Sequence, residues 1–256
     1  MNSTVTPQLP AQLSICGVQL HCIPGDTPAN LASAENLIRQ NPGHHLYVLP
    51  ELSSTGYSDH VFQHRASLAE DALTGPSHSF FAPLATELGC YIVYGILRRS
   101  PTNANIYISQ VVLAPNQQQV TTIYYDKMHL CDMGACSEVA HGVSRGDVLP
   151  CVFAVQGVRI GVCICYDLRF PELWRHMAWE QGADVILHPS AFVRDATFPS
   201  WHPFVCTRAL ENQVYVLSIS HAGEEYGGSL AHPPVRTKIG LKSQYIRPYC
   251  KTCVHY

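Results

Sequence analysis

Three short stretches of the sequence each end an apolar run on a side chain able to do chemistry. Tyr47-Val48-Leu49-Pro50-Glu51 ends on a carboxylate, Ile123-Tyr124-Tyr125-Asp126-Lys127 on an ammonium, and Val162-Cys163-Ile164-Cys165 on a thiol. Cysteine is the strongest nucleophile among side chains but is mostly protonated at neutral pH, so it works only beside a base or a cation. A glutamate can take the thiol proton and return it to a leaving amine. A lysine can hold the negative oxygen of a tetrahedral intermediate, helped by a backbone N–H just after the nucleophile. Read singly, each residue has a plainer role: Glu51 a solvated carboxylate, Lys127 a surface partner of Asp126, Cys165 one more buried thiol. Spacing alone leaves both readings open.

Convergence of the three depends on the elements that carry them. Strand-like runs fall at 13–20, 46–49, 91–97, 106–113, 120–125, 158–164, 184–188 and 214–219. Between them lie helix-like segments. Thr27 is the expected cap of one, with Pro28 at its first helical position; Gly75-Pro76-Ser77 opens a second that runs to Gly89. Phe170-Pro171-Glu172 opens a third, and the fourth covers about Ser200 to Asn212. Alternation of this kind predicts an α/β layer fold, in which ligands collect beyond the carboxyl ends of strands. No linker or repeat divides the chain, so one domain over 13–230 is expected, after a flexible lead-in at 1–12.

Composition narrows the function classes. The 256 residues are 46% hydrophobic and 14% charged with net charge −3, which excludes disorder as the main state. Sixteen basic residues in a slightly acidic chain make no footprint for nucleic acid. No apolar run reaches the roughly 20 residues of a bilayer span, so no membrane partner is expected. Eleven cysteines, an odd number, without the charged-then-apolar order of a secretion signal predict free thiols in the cytoplasm.

The motifs, taken in order, add what spacing cannot. Pro50-Glu51 with Gly56-Tyr57, then Lys127-Met128-His129-Leu130, then Cys165-Tyr166-Asp167-Leu168-Arg169-Phe170-Pro171-Glu172, and finally Arg208-Ala209-Leu210-Glu211-Asn212 resemble the signatures of the nitrilase, or carbon–nitrogen hydrolase, superfamily. The resemblance covers about residues 13–230 and leans toward its amidase-like branches. It implies a four-layer α-β-β-α sandwich and a homodimer or higher homo-oligomer. It implies hydrolysis of a small-molecule amide through a cysteine thioester, with no cofactor and no metal; a nitrile or a carbamoyl group would suit the same set. In that picture Cys165 is the nucleophile, Glu51 the general base and Lys127 the oxyanion-stabilising cation. Glu138 is a second, assisting glutamate, although Arg145 stands where the family commonly has proline. The backbone amide of Tyr166 serves the oxyanion. Asp167 and Arg169 frame the turn, His129 holds the Lys127 loop, and Glu211 and Asn212 bond backbone near the site. For substrate binding the candidates are Tyr57, Phe192 and Trp201, with Arg194 or Arg145 available to a substrate carboxylate.

Three other readings stay open at this level. His188 or His202 would serve as base in a Cys–His hydrolase. Cys250-Lys251-Thr252-Cys253 with His255 has half of a zinc-site spacing. The end of the chain also departs from the family pattern: after Glu225 there is no acidic residue, while three of the four lysines fall there. An atypical, poorly ordered tail over 231–256, and with it a catalytically weak scaffold protein, is the third expectation.

Overall fold

The computed structural model describes residues 12–115, 122–132, 137–150, 152–196, 198–226, 229–232 and 252–255. Eleven strands form two sheets among these residues. The first holds β1 (Ser14–Gly17), β2 (Leu46–Val48), β3 (Tyr91–Arg99), β4 (Ile106–Leu113), β5 (Ile123–Asp126) and β11 (Thr252–His255), in the order β11-β1-β2-β3-β4-β5. The second holds β6 (Phe153–Val155), β7 (Val158–Val162), β8 (Val185–Pro189), β9 (Tyr215–Ile219) and β10 (Ser229–His232), in the order β10-β9-β8-β7-β6. Each sheet has a parallel centre, β1-β2-β3 in one and β7-β8-β9 in the other, flanked by antiparallel strands.

Period-two alternation sends side chains of each sheet to two faces. Leu46, Val48 and Val93 meet Val162, Val185, Leu187 and Leu217 in a core between the sheets. Their chain neighbours Tyr47, Leu49, Ile92 and Tyr94 point the other way, onto Leu31, Ala34 and Ile38 of α1 (Thr27–Arg39) and Phe81, Leu84 and Ala85 of α4 (Pro76–Leu88). Ile186 and Val216 face Trp174 of α5 (Pro171–Arg175) and Trp201, Val205 and Ala209 of α6 (Trp201–Asn212). The result is the four-layer α-β-β-α sandwich expected.

Some local expectations shift. Asp26, not Thr27, caps α1, accepting from the Ala29 amide at 3.1 Å, so Pro28 takes the second helical position. The short helices α2 (Asp59–Gln63) and α3 (Arg65–Leu68), which follow the Glu51 loop, went unpredicted. So did β6 and β10. Of the final segment, Thr252–His255 runs antiparallel to β1, and 233–251 lies outside the described residues. No helix among the described residues is long and apolar enough to cross a membrane.

Candidate active site

Glu51 lies three residues beyond β2, Lys127 one beyond β5 and Cys165 three beyond β7. All three strands end toward one place, and the side chains meet there. Lys127 Nζ donates to Glu51 Oε1 at 2.7 Å and to Glu138 Oε1 at 2.6 Å, with all three side chains wholly buried. The Cys165 thiol lies beside the Glu51 carboxylate, close enough for each to perturb the other's protonation. Tight backbone contacts hold the set. Gly95 of β3 lies so close under the Glu51 loop that an added Cβ would stand 2.3 Å from the Leu52 nitrogen. Gly146, whose amide donates to the Lys127 carbonyl at 2.9 Å, has the same relation to the Asp126 carbonyl oxygen.

Each group has a fixed partner set. The second oxygen of Glu51 accepts from the Ala191 amide at 2.9 Å, and its backbone carbonyl accepts from His221 Nε2 at 2.6 Å. Glu138 also takes the Tyr57 hydroxyl at 2.9 Å and the Cys131 amide at 2.8 Å. Beside Lys127, Asp126 accepts both arms of the Arg98 guanidinium at 2.7 and 2.6 Å. The plain pairing of Lys127 with Asp126 is therefore not formed: Arg98 has taken that carboxylate, and Lys127 points inward to two others.

Electrostatics follow from burial. Desolvation holds Glu51 above the usual carboxylate range, against the pull of Lys127. The Cys165 thiol is pushed well up, first by burial and then by the charge of Glu51. Burial alone would lower the Lys127 ammonium, but Glu138 and Glu51 override it and hold it well above its ordinary value. A protonated thiol thus faces a carboxylate of raised basicity, with a firmly charged ammonium beside both.

Cys165 opens a single 3-10 turn over Cys165–Arg169, and its φ is +43°, a left-handed value that a side chain adopts only when its surroundings impose it. Asp167, wholly buried, imposes part of it. One oxygen accepts the Ile164 amide at 3.0 Å and the Tyr125 hydroxyl at 2.8 Å; the other accepts the His129 amide at 3.1 Å and Nδ1 at 2.7 Å. Asp167 so ties the thiol turn to the Lys127 loop.

These motifs can be set beside known proteins. A family model, carbon-nitrogen hydrolase, matches residues 12–255. The chain belongs to this family. The omega-amidase NIT3 of Saccharomyces cerevisiae is 30% identical over 247 residues, covering 90% of this chain and 83% of that protein. A nitrilase of Pyrococcus abyssi is 32% identical over 205 residues, covering 77% and 71%. The crystal structure of yeast Nit3, a member of branch 10 of the nitrilase superfamily, superposes with a TM-score of 0.77 at 26% identity, covering 96% of this chain and 89% of that one.

Within this member of the carbon–nitrogen hydrolase family, several assignments made from the sequence take a more definite form. Arg169 lies over the rings of Tyr166 and Phe204, while Asp167 is hydrogen-bonded by His129 Nδ1 at 2.7 Å. Glu211 reaches the turn only through Arg208, which donates to the Leu168 carbonyl at 2.9 Å; Asn212 bonds its own helix at Arg208. Phe192 and Trp201 stack at 5.2 Å between centroids, with Trp201 buried. Tyr57 spends its hydroxyl on Glu138. Arg194 donates to the Tyr226 carbonyl at 2.7 Å, and Arg145 is exposed.

The rival base is displaced. His188 Nε2 meets the carbonyl oxygen of Cys165 at 2.8 Å, and His202 is exposed on α6 opposite Cys206. Cys250 lies outside the described residues, and only the backbone of Cys253 and His255 is described, in β11. Sequence reading passed over Ala191 and His221 as supports of Glu51. Their signal was positional, since each follows the end of a central parallel strand.

Proposed function

We propose that the chain hydrolyses a small linear amide to a carboxylic acid and ammonia through a thioester on Cys165. One observation carries this reading: a buried Glu51 carboxylate, held by the Lys127 ammonium at 2.7 Å and the Ala191 amide at 2.9 Å, lies close enough to the Cys165 thiol for the two to perturb each other's protonation. Glu51 accepts the thiol proton as Sγ bonds to the amide carbon. The carbonyl electron pair moves to oxygen, where Lys127 and the Tyr166 amide balance the charge. Collapse breaks the C–N bond, and the proton on Glu51 leaves with the amine. Water then gives a proton to Glu51 and attacks the thioester, and the departing thiolate takes that proton back. Glu138 holds Lys127 as a second carboxylate partner, at 2.6 Å.

Support for an amide over a nitrile comes from the relatives named omega-amidase and from an amidase of Nesterenkonia sp., whose structure superposes with a TM-score of 0.68 at 25% identity over 86% of this chain and 79% of that one. The test is ammonia release from a panel of small amides, nitriles and carbamoyl compounds, with intact-mass detection of the acyl adduct. Turnover of amides with an adduct confined to Cys165 is expected. Turnover that survives Cys165→Ala would overturn the reading.

A further inference from the structure

Behind the thiol turn, a chain of hydrogen bonds runs from Trp201 to the backbone of Cys165. Trp201 Nε1 lies 3.1 Å from Ser218 Oγ, Ser218 Oγ 2.8 Å from His188 Nδ1, and His188 Nε2 2.8 Å from the Cys165 carbonyl oxygen. All four residues are buried. The direction of every bond is fixed by chemistry. An indole N–H only donates and a carbonyl only accepts. His188 must therefore carry its proton on Nε2, and with the ring neutral Nδ1 is left bare to accept. Ser218 then accepts from Trp201 and donates to His188. Ser190 Oγ, 3.3 Å from both ring nitrogens, also lies 3.3 Å from the His188 carbonyl, where its own proton has an acceptor.

We infer that His188 is a positioning residue: through a tautomer set by Ser218 and Trp201, it pins the Cys165 carbonyl and so holds the nucleophile in its left-handed turn. Asp167 holds the N–H of Ile164, the residue before Cys165, at 3.0 Å. The turn is held at two points of its backbone, the Ile164 amide before Cys165 and the Cys165 carbonyl itself. Burial lowers the His188 pKa to about 4, so the neutral ring that this chain of bonds requires persists through the neutral range. Trp201, which stacks on Phe192, sits at the far end. The buried Phe192–Trp201 stack and the backbone of the nucleophile are thereby linked by three bonds.

The inference rests on Cys165 being the nucleophile, and its tests separate from that reading. In the wild-type protein, 15N NMR of labelled histidine should show His188 protonated at Nε2 and bare at Nδ1 at pH 7. The opposite tautomer, or an imidazolium, overturns the inference whatever the substrate proves to be. His188→Phe keeps a ring but removes the donor. It should lower kcat for amide hydrolysis roughly 100-fold, as expected for a displaced reacting group, with KM changed less than about threefold. The rate of Cys165 alkylation by iodoacetamide, followed by peptide mass, should change in the same variant. His188→Gln offers an N–H toward the same carbonyl and should recover most of both rates. If Gln is as poor as Phe, or if Phe is as good as wild type, His188 only fills space and the inference fails.

Discussion

The amide of Ala191 donates to Glu51 Oε2 at 2.9 Å across 140 positions of chain. Glu51 belongs to the end of β2 in one sheet and Ala191 to the end of β8 in the other, so this bond joins the two sheets at their functional edge. With Oε1 held by Lys127, both carboxylate oxygens have fixed donors and the group cannot rotate away from the thiol. Preorganisation of this kind lets a buried base act without reorganising at the moment of reaction.

Replacing that base tests the arrangement directly. Glu51→Gln keeps the size but presents an amide N–H₂ either to the Lys127 ammonium or to the Ala191 N–H, and it accepts no proton. Ammonia release should fall by about 10³-fold, the scale of a lost general base. Single-turnover acylation, followed by mass, should slow by the same factor. A variant that acylates at the wild-type rate would remove Glu51 from the first step.

Tyr57 separates two roles by kinetics. The resemblance implies a substrate contact, whereas the structure gives its hydroxyl to Glu138 at 2.9 Å, and Glu138 in turn holds Lys127 at 2.6 Å. Losing a hydrogen bond to a charged group costs about 2 kcal/mol. If the hydroxyl acts through Glu138, Tyr57→Phe lowers kcat more than tenfold and leaves KM nearly fixed. A rise in KM at constant kcat would restore the substrate contact.

The central strands and the longer helices were legible because their patterns are long and regular. Eight runs of alternating or continuous apolar residues matched β1 to β5 and β7 to β9, with ends displaced by a few residues. β6 was missed because three residues carry no period, although Gln156-Gly157 is a two-residue hairpin turn with φ of +51° and +78°. Glu51, Lys127 and Cys165 stood out as reactive side chains on which apolar runs end, but spacing did not separate them from neighbours such as Asp126 and Cys163, and their roles came from the motif resemblance. Ala191 acts through its amide, which every residue but proline possesses, so no residue type betrays it. The role of His188 was hidden for another reason: fourteen histidines offer many candidate bases, and only distance shows that this one faces a carbonyl.

Close packing under the base gives a stability prediction. At Gly95, a Cβ would meet the Leu52 nitrogen at 2.3 Å and the Pro50 carbonyl oxygen at 2.8 Å, both backbone atoms. Neither can swing aside as a side-chain tip would. Gly95→Ala should cost about 1–3 kcal/mol, the range for overpacking, read as a lower urea midpoint at unchanged slope. Because the strain falls on the Glu51 loop, activity should drop further than the folded fraction does. An unchanged midpoint would show that β3 can retreat from this loop.

Acid stability follows from two imidazoles. His188 and His221, both wholly buried, have their pKa lowered from 6.5 to about 4 by burial. The unfolded chain therefore binds protons between pH 6.5 and 4 that the folded chain refuses, and folding stability falls as pH drops through that window. A shift of this size is worth roughly 3 kcal/mol for each ring. Glu51 acts with the opposite sign, since its raised pKa favours the folded state at lower pH, so the total slope mixes both. A difference experiment isolates the histidine contribution. His221→Gln keeps an N–H for the Glu51 carbonyl but does not titrate. Urea unfolding at several pH values should show wild type losing about 3 kcal/mol relative to the variant between pH 6.5 and 4. Parallel stability curves for the two proteins would mean that His221 is protonated in the folded state, and that its 2.6 Å contact with the Glu51 carbonyl is made by a charged ring.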